Sequence, residues 1–356
     1  MKEIISKEKE LYFELFEIYK ERLKNKHLTY EAFIFERESA KWLSRVAKEI
    51  VDDEFAVKGY FPFQVYHPTR TINAPVYVDR IVEQWFVVKY IQSVFVPQLY
   101  KYNMACQAGK GPFLTMDYVV DELTQIYNTY GPNFYIFQYD IEGYFDNIQH
   151  EAAKRIMKQI GKEGFKLYES IVDSFSIPDS YSSLSDKNHT YGFPKGTLPS
   201  QWTGVIYLND LDLKINDNEK CLFNTRYMDD GLNFFHMKEE ATECLKYVEN
   251  YLKVNDLGIR LHPKKTYIAP ISRGFTFCGW RYSYDEDMKL HIRIRNSKKK
   301  EMESRLKTIS KEVRKGKFPI RKANQIRDGM FAYLSHGTES DKLIKYMMHQ
   351  YPIPKE

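Results

Sequence analysis

Apolar and polar positions repeat along this chain with two different periods. Residues 5–55 carry apolar positions at helical spacing within segments of mixed charge, as in LYFELFEIYKERL and AKWLSRVAKEIV. Residues 61–100 begin like a strand, are interrupted at Pro75 and continue as an apolar helix. The helical spacing predicts further helices near 113–129, over 150–176 and from Gln201 to Leu213, with an irregular polar segment at 177–198.

Strand patterns occur between the helices of the second half. NFYIFQYDI is rich in good strand formers, and CLFNTRYMDDGLNFF predicts two strands joined by a two-residue turn. A helix (KEEATECLKYVENYLKVN) follows, then strands around IRLHPKKTYI and GFTFCGWRYS, and a basic helical tail from about 296. This order predicts a small antiparallel sheet with helices packed on one side, an α+β fold.

Composition and charge narrow the class of protein. The chain has 356 residues, enough for two or three domains, and its 43% apolar content excludes a disordered protein. Residues 289–325 hold 14 Lys or Arg against 3 Asp or Glu, a surplus of +11 within a total of +5. One basic segment on a mildly acidic body indicates a protein that binds a polyanion.

The cysteines indicate a reducing compartment, and the hydropathy indicates a protein that does not span a membrane. The four cysteines form no CxxC pair and show no zinc spacing, so we expect buried thiols. No apolar run reaches the ~20 residues of a membrane span, and the charged N-terminus is unlike a signal peptide. The sequence therefore predicts a cytoplasmic protein with no membrane partner.

Aspartates follow apolar strands at two places. Asp140 lies near the end of NFYIFQYDI, and Phe145 and Asp146 lie five and six residues further on. The pair Asp229–Asp230 lies in the predicted hairpin. Each acid alone is also typical of a turn or a helix cap. If the two strands are neighbours, however, Asp140 and Asp229 converge, and clustered carboxylates suit Mg²⁺. Such a site performs phosphoryl transfer by positioning and charge neutralisation.

These segments resemble, in chain order, the motifs of bacterial retroelement-type reverse transcriptases. YDIEGYFDNI, GFPKGTLPSQWTGVIYLNDLD, RYMDDGLNFF, LGIRLHPKKT and GFTFCGW resemble the five palm motifs. RTINAPVYVDRIVEQ and NMACQAGKGPF resemble fingers motifs, and MFAYLSHGTESDKLIKYM resembles the thumb end of short bacterial members. A single match is weak, but this many over residues 60–350 in the same order are specific.

The resemblance implies a right-hand polymerase fold. The expected parts are N-terminal helices and fingers at 1–135, a fingers insertion at about 151–198, a palm at 136–285 and a basic helical thumb at 286–356. The implied activity is RNA-directed DNA polymerisation, which adds dNTPs to a primer 3′-hydroxyl with two Mg²⁺ ions, or with Mn²⁺ as an alternative. The implied partners are an RNA template, a DNA or RNA primer and dNTPs.

The resemblance also assigns roles to individual residues. The implied metal ligands are Asp140, the Ile141 carbonyl, Asp229 and Asp230, and the implied general acid is Lys265, with Lys264 as its adjacent competitor. The implied dNTP contacts are Arg70, Phe145 (which excludes a ribose 2′-hydroxyl), Lys195, Gly196, Gln201 and Met228. The implied nucleic-acid contacts are Lys110, Gly279, Trp280, Lys298, Lys299 and Lys300, although Trp280 also fits a core position.

The second palm motif is similar to that of diversity-generating retroelements. These have Gly-x-x-x-Ser-Gln, as at Gly196–Gln201, and a small basic accessory protein. Lys195 departs from that family, which usually has Ile, Leu or Val there. This leaves an antiphage-defence (abortive-infection type) reverse transcriptase as an alternative, copying a non-coding RNA or working without a template. A catalytically silent nucleic-acid-binding module is a third hypothesis. In each case we expect a cytoplasmic protein that is encoded by a bacterium or by a phage.

Overall fold

The computed structural model describes residues 2–24, 29–66, 69–177 and 189–354. Part of the predicted irregular segment, residues 178–188, lies outside the described residues. The described chain is a mixture of helices and small antiparallel sheets, which is an α+β fold.

The N-terminal half is mainly helical and contains one hairpin. Its helices are α1 (Lys2–Leu23), α2 (Tyr30–Arg37), α3 (Ser39–Val51), α4 (Tyr77–Phe86), α5 (Ser93–Phe95) and α6 (Pro112–Tyr130). A π-helical turn, Val87–Gln92, links α4 to α5. The hairpin consists of β1 (Tyr60–Val65) and β2 (Arg70–Pro75), so the segment predicted to begin like a strand contains two.

The central sheet has four antiparallel strands in the order β4-β5-β3-β6. They are β3 (Tyr135–Asp140), β4 (Cys221–Tyr227), β5 (Asp230–Phe235) and β6 (Tyr267–Pro270). Between β3 and β4 lie α7 (Tyr144–Asn147), α8 (His150–Met157), α9 (Gly161–Asp173), α10 (Leu198–Ile206) and α11 (Asn209–Asn216), and α12 (Lys238–Val254) follows β5.

The C-terminal part begins with a second sheet. It contains β7 (Phe275–Phe277), β8 (Trp280–Tyr284) and β9 (Leu290–Ile294), followed by helices α13 (Asn296–Arg314), α14 (Ile320–Leu334) and α15 (Ser340–Gln350). β9 was not predicted. Because it pairs with β8, the predicted palm–thumb boundary at 285 falls inside a hairpin.

Both faces of the central sheet are covered, so the expectation of helices on one side only is wrong. Phe137 and Tyr139 point to a core shared with α12 and the N-terminal helices. Ile136 and Phe234 point to a second core with α6, β7–β9 and the C-terminal helices. The reason is visible in the strand itself, because an apolar run buries side chains on both faces of a sheet.

No helix within the described ranges combines the length and the apolar character needed to cross a membrane.

Candidate active site

Three aspartates meet at one end of β3 and β5, the two inner strands of the central sheet. In the β3–β5 register Asp140 lies directly opposite Asp230. Asp229 occupies the two-residue turn before β5, and its carbonyl accepts a hydrogen bond from the Ile141 amide at 3.1 Å. The condition set by the sequence, that β3 and the hairpin are neighbours, is therefore met. The segments that carry all four implied metal ligands lie together.

The turn itself is held by Arg226, a buried arginine that was not among the predicted site residues. Met228 has a left-handed backbone with φ 58°, which is uncommon for a residue with a side chain. Arg226 donates from Nη1 to the Met228 carbonyl at 2.6 Å and forms a buried ion pair with Asp212 at 2.8 Å. A signal existed in the sequence, since an arginine inside an apolar strand needs a buried partner.

Burial and mutual repulsion raise the pKa of two of the acids. Burial raises the pKa of Asp229, and the charge of Asp140 raises it further. Burial, followed by the charges of Asp229 and Asp140, raises the pKa of Asp230 to about 7. The acids therefore favour protonation or the approach of a cation.

Lys265 supplies one such cation. Its Nζ lies 2.9 Å and 3.0 Å from the two carboxylate oxygens of Asp140. Burial alone would lower the pKa of Lys265, but the hydrogen bonds and charge of Asp140 raise it above its usual value. The structure thus places Lys265 at the carboxylates, whereas the Lys264 amide bonds to the His262 ring.

The donor set fits a hard divalent cation. No group of three or more Asp, Glu, His or Cys side chains within residues 2–24, 29–66, 69–177 and 189–354 is arranged as a ready-made metal cluster, and both Asp140 oxygens are bonded to Lys265. Three carboxylates nevertheless lie together at one end of β3 and β5. The pKa of two of them, Asp229 and Asp230, is raised partly by the charge of their neighbours. Oxygen ligands of this kind are those that Mg²⁺ prefers.

Phe145 lies beside the segment that resembles the second palm motif. A Cβ built on Gly204 of α10 would come within 3.2 Å of the Phe145 ring. The neighbouring Tyr144 hydroxyl donates to the Gly204 carbonyl at 2.6 Å. The half-buried ring of Phe145 is thus held against α10.

Lys195 and Gly196 contact both Asp146 and the β1–β2 hairpin. Lys195 Nζ pairs with Asp146 at 2.6 Å, so Asp146 has a partner beyond the expected turn or capping role. The Lys195 carbonyl accepts from the Asn73 amide at 2.8 Å. A Cβ on Gly196, whose φ is +119°, would come within 2.6 Å of Ile72, so this close approach requires glycine.

Three further predicted residues have the following positions in the structure. Arg70 is exposed at the start of β2, opposite Val65. Gln201 is half-buried on α10, and Cys106 Sγ approaches its Oε1 at 3.8 Å. Lys110 is half-buried in the loop before α6, where burial lowers its pKa.

The structure corrects the nucleic-acid role of Trp280. Its side chain is 1% exposed and stacks on Tyr333 at 5.1 Å, so the ring packs in the core and offers no face to a base. Gly279 has φ +85°, and a Cβ there would approach the Tyr333 hydroxyl at 3.3 Å. The core position, which the sequence also fitted, is the one that the structure shows.

The three lysines of the basic segment lie in the first turn and a half of α13. Lys298 pairs with Glu301 at 3.0 Å and Lys299 lies 4.0 Å from Glu303, whereas Lys300 is exposed. Their cationic groups are at the surface.

A comparison with protein-family models matches residues 69–282 to the model described as reverse transcriptase (RNA-dependent DNA polymerase). The matched region is well over half of the chain and contains every aspartate of the site. The chain belongs to the reverse transcriptase family. No curated protein matches it.

Membership of this family explains the architecture of the chain. The fold is that of a right-hand polymerase, and the chain is an RNA-directed DNA polymerase, a nucleotidyltransferase. Reverse transcriptases act on a nucleic-acid template and primer with dNTPs and generally use divalent metals. Family membership argues against the third hypothesis, a catalytically silent binding module.

Proposed function

We propose that this reverse transcriptase extends a primer 3′-hydroxyl at the three aspartates that lie at one end of β3 and β5. Asp140, Asp229, Asp230 and the Ile141 carbonyl would hold two divalent ions, Mg²⁺ or Mn²⁺. Such ions, when bound, activate the hydroxyl and neutralise the charge that develops on pyrophosphate. The observation that carries the proposal is the register that sets Asp140 opposite Asp230, with Asp229 in the adjoining turn.

We assign the remaining chemistry to nearby cations and to Phe145. Lys265 would protonate the departing pyrophosphate, and its position at Asp140 supports this role. Arg70 would bind the triphosphate with its planar guanidinium. Phe145 would exclude the 2′-hydroxyl of a ribonucleotide by its volume, with Lys195, Gly196, Gln201 and Met228 completing the nucleotide pocket.

We assign duplex binding to the C-terminal part. In this proposal residues 1–135 and about 151–198 form the N-terminal helices and fingers, 136–285 the palm and 286–356 the thumb. Lys298, Lys299 and Lys300 would contact phosphates, Gly279 would lie at the primer and Lys110 at the template. The local surplus of positive charge supports this assignment.

The test is primer extension on an RNA template with a DNA primer, dNTPs and Mg²⁺. We expect Asp140→Asn and Asp229→Asn each to lower the rate by about 10³-fold or more, because stabilisation of the charge that develops in the transition state contributes most to catalysis of this kind. Asp217→Asn, an exposed acid after α11, is the control. Unchanged rates in the first two variants would contradict the assignment.

For the biological role we favour a diversity-generating retroelement that makes mutagenised cDNA. The Gly-x-x-x-Ser-Gln segment at Gly196–Gln201 supports this, and a small basic accessory protein would be the further partner. Finding a near-duplicate template and variable repeat beside the gene, or cDNA errors opposite template adenines, would support it. Faithful cDNA without such repeats would contradict it.

Lys195 favours a second candidate, antiphage defence. Its cationic side chain replaces the apolar one usual in diversity-generating retroelements. The product would then come from a dedicated non-coding RNA or from untemplated synthesis. Sequencing DNA recovered with the protein separates the two roles. Both roles would place the enzyme in the cytoplasm of a bacterium, encoded by its genome or by a phage.

A further inference from the structure

Helix α10 contains a glycine that its backbone does not require. Gly204 lies in the last turn of this helix, and its φ is outside the positive range in which glycine is favoured. Alanine is the better residue for a helix interior. The reason for the glycine must therefore lie in the atoms that surround it.

Two aromatic rings of α7 occupy the space that a side chain at this position would need. A Cβ on Gly204 would lie 3.2 Å from Cε1 and Cζ of Phe145 and 3.4 Å from Cε1 of Tyr144. Carbon atoms that are not bonded to each other pack best at about 3.5–4.0 Å. An alanine at 204 would therefore displace the ring of Phe145, which the glycine allows to lie directly on the helix.

The hydroxyl of Tyr144 bonds α7 to the same glycine. It donates to the Gly204 carbonyl at 2.6 Å, and Tyr144 is 3% exposed. The last carbonyls of a helix have no partner within the helix, so this hydroxyl satisfies one of them. The Phe145 carbonyl accepts from the Phe193 amide at 2.8 Å. Both the backbone of Phe145 and the residue before it are thus fixed relative to α10.

The next carbonyl of α10 is bonded to the strand that leads into the acidic turn. The Val205 carbonyl accepts from Arg226 Nη2 at 2.8 Å. The same guanidinium donates from Nη1 to the Met228 carbonyl at 2.6 Å. The end of α10 therefore joins the segment that carries Phe145 to the turn that carries Asp229.

We propose that Gly204 and Tyr144 are positioning residues for nucleotide specificity, because they fix how far the Phe145 ring projects from α10. Both act through Phe145 and not on the nucleotide itself. The inference rests on the proposed function, in which Phe145 excludes a ribose 2′-hydroxyl. It adds the two contacts that determine how much room the ring leaves for the sugar.

Changes at the two positions should have opposite effects. The buried side of the Phe145 ring is packed against α10 and Tyr144, and the rest of this half-buried ring is exposed. A side chain at 204 would push the ring toward its exposed side and narrow the space for the sugar. Loss of the Tyr144 hydroxyl would release α7 from the Gly204 carbonyl and give the ring more freedom to move aside.

The experiment measures incorporation of a single dATP or ATP opposite uridine in an RNA template, with a DNA primer and Mg²⁺. The specificity is the ratio of kcat/KM for dATP to kcat/KM for ATP. For Gly204→Ala we expect KM for dATP to rise about fivefold with kcat within about twofold, because the added methyl group crowds a packed site. For Tyr144→Phe we expect the specificity to fall about threefold, within the range of one hydrogen bond.

Each variant has a matched control. Gly329→Ala adds the same methyl group to an exposed position of α14 with no atom within 4 Å. Tyr168→Phe removes another buried hydroxyl that contacts α10, at the Thr203 side chain one residue before Gly204. We expect both controls to keep the KM for dATP and the specificity of the wild type.

Phe145→Ala separates this inference from the proposed function on which it rests. If Phe145 excludes ribonucleotides, Phe145→Ala should lower the specificity about tenfold or more. In that background Gly204→Ala should no longer raise KM, because the ring that it displaces is absent. An equal rise in both backgrounds, or unchanged specificity in Tyr144→Phe, would overturn the inference. If Gly204→Ala does not fold, Tyr144→Phe and its control still decide. Unchanged specificity in Phe145→Ala would instead contradict the proposed role of Phe145.

Discussion

Lys195 Nζ lies 2.6 Å from Asp146 Oδ2, and this ion pair joins the segment after β3 to the segment before α10. Both side chains are 32% exposed. A pair this accessible contributes only about 0–1 kcal/mol to stability. Its consequence is positional, because it fixes the lysine next to Gly196, where the β1–β2 hairpin also packs.

Breaking this pair should change nucleotide selection more than stability. We expect Asp146→Asn and Lys195→Gln each to alter the free energy of unfolding by less than about 1 kcal/mol. Each should change KM for dNTPs, since the lysine loses its fixed position or its charge. Single-nucleotide incorporation by the two variants and their double mutant tests this, and effects on KM that simply add would show that the pair is not coupled.

The buried pair of Arg226 and Asp212 should be far more important for stability. Both side chains are almost fully buried, at 1% and 2% exposed. Removing one partner leaves an uncompensated charge, so Asp212→Asn should cost about 3–5 kcal/mol in urea unfolding. Glu17→Gln, which breaks the exposed pair with Lys20, is the control and should cost less than about 1 kcal/mol. Equal costs would contradict this interpretation of the arginine.

Gly231 should tolerate no side chain. A Cβ there would overlap the ring of Tyr139, its partner across β3 and β5. We expect Gly231→Ala to destabilise the protein by about 1–3 kcal/mol and to disturb the adjoining acids. Gly329→Ala in α14 meets no atom within 4 Å, so it should be neutral or stabilising by up to about 1 kcal/mol. Thermal unfolding of the two variants provides the comparison.

The metal-free enzyme should lose stability as the pH rises from about 4 to about 7. The pKa of Asp230 is about 7 in the folded protein against an ordinary value of 3.8, so its protonated form favours folding over this interval. In EDTA at about pH 8, Asp230→Asn should be more stable than the wild type by up to about 4 kcal/mol, the equivalent of this pKa shift. Urea unfolding across this pH range checks the prediction, which fails if the difference does not narrow toward about pH 4.

The lysines of α13 should contribute to the salt dependence of duplex binding. Replacing Lys298, Lys299 and Lys300 with alanine should lower affinity and reduce the slope of log K against log salt by about 0.9 for each phosphate that is no longer neutralised. Replacing Lys238, Lys246 and Lys253 of α12 removes the same charge from a different part of the surface. Fluorescence anisotropy with a labelled RNA–DNA duplex measures both triple variants. Equal slopes would remove α13 from the interface.

Sequence patterns predicted the elements that depend on local periodicity. The long helices α6, α12 and α13 and the hairpin of β4 and β5 lie where the spacing of apolar residues placed them. The helix predicted from Gln201 to Leu213 is instead two helices. Asn209 explains the break, because its side chain bonds to the Tyr100 amide and the Gln98 carbonyl, which lie far earlier in the chain.

The candidate site, like the fold, could be predicted only where the signal is local in the sequence. Asp140 and the hairpin acids could be found because each follows an apolar strand, where an acid is conspicuous. The partners of Lys195 and Arg226 could not, since each contact joins segments that only the tertiary fold brings together. Single residues of a site are thus visible in sequence, whereas the contacts that orient them are not.

The register of β3 and β5 has a consequence for how such genes can change. Successive side chains of a strand point to opposite faces, so deleting one residue from either strand would turn its acid away from the other. Insertions and deletions should therefore be absent from Tyr135–Asp140 and Asp230–Phe235 in related sequences, even where the surrounding loops differ in length. We therefore expect the residue count of these two short strands to be kept as strictly as the aspartates themselves.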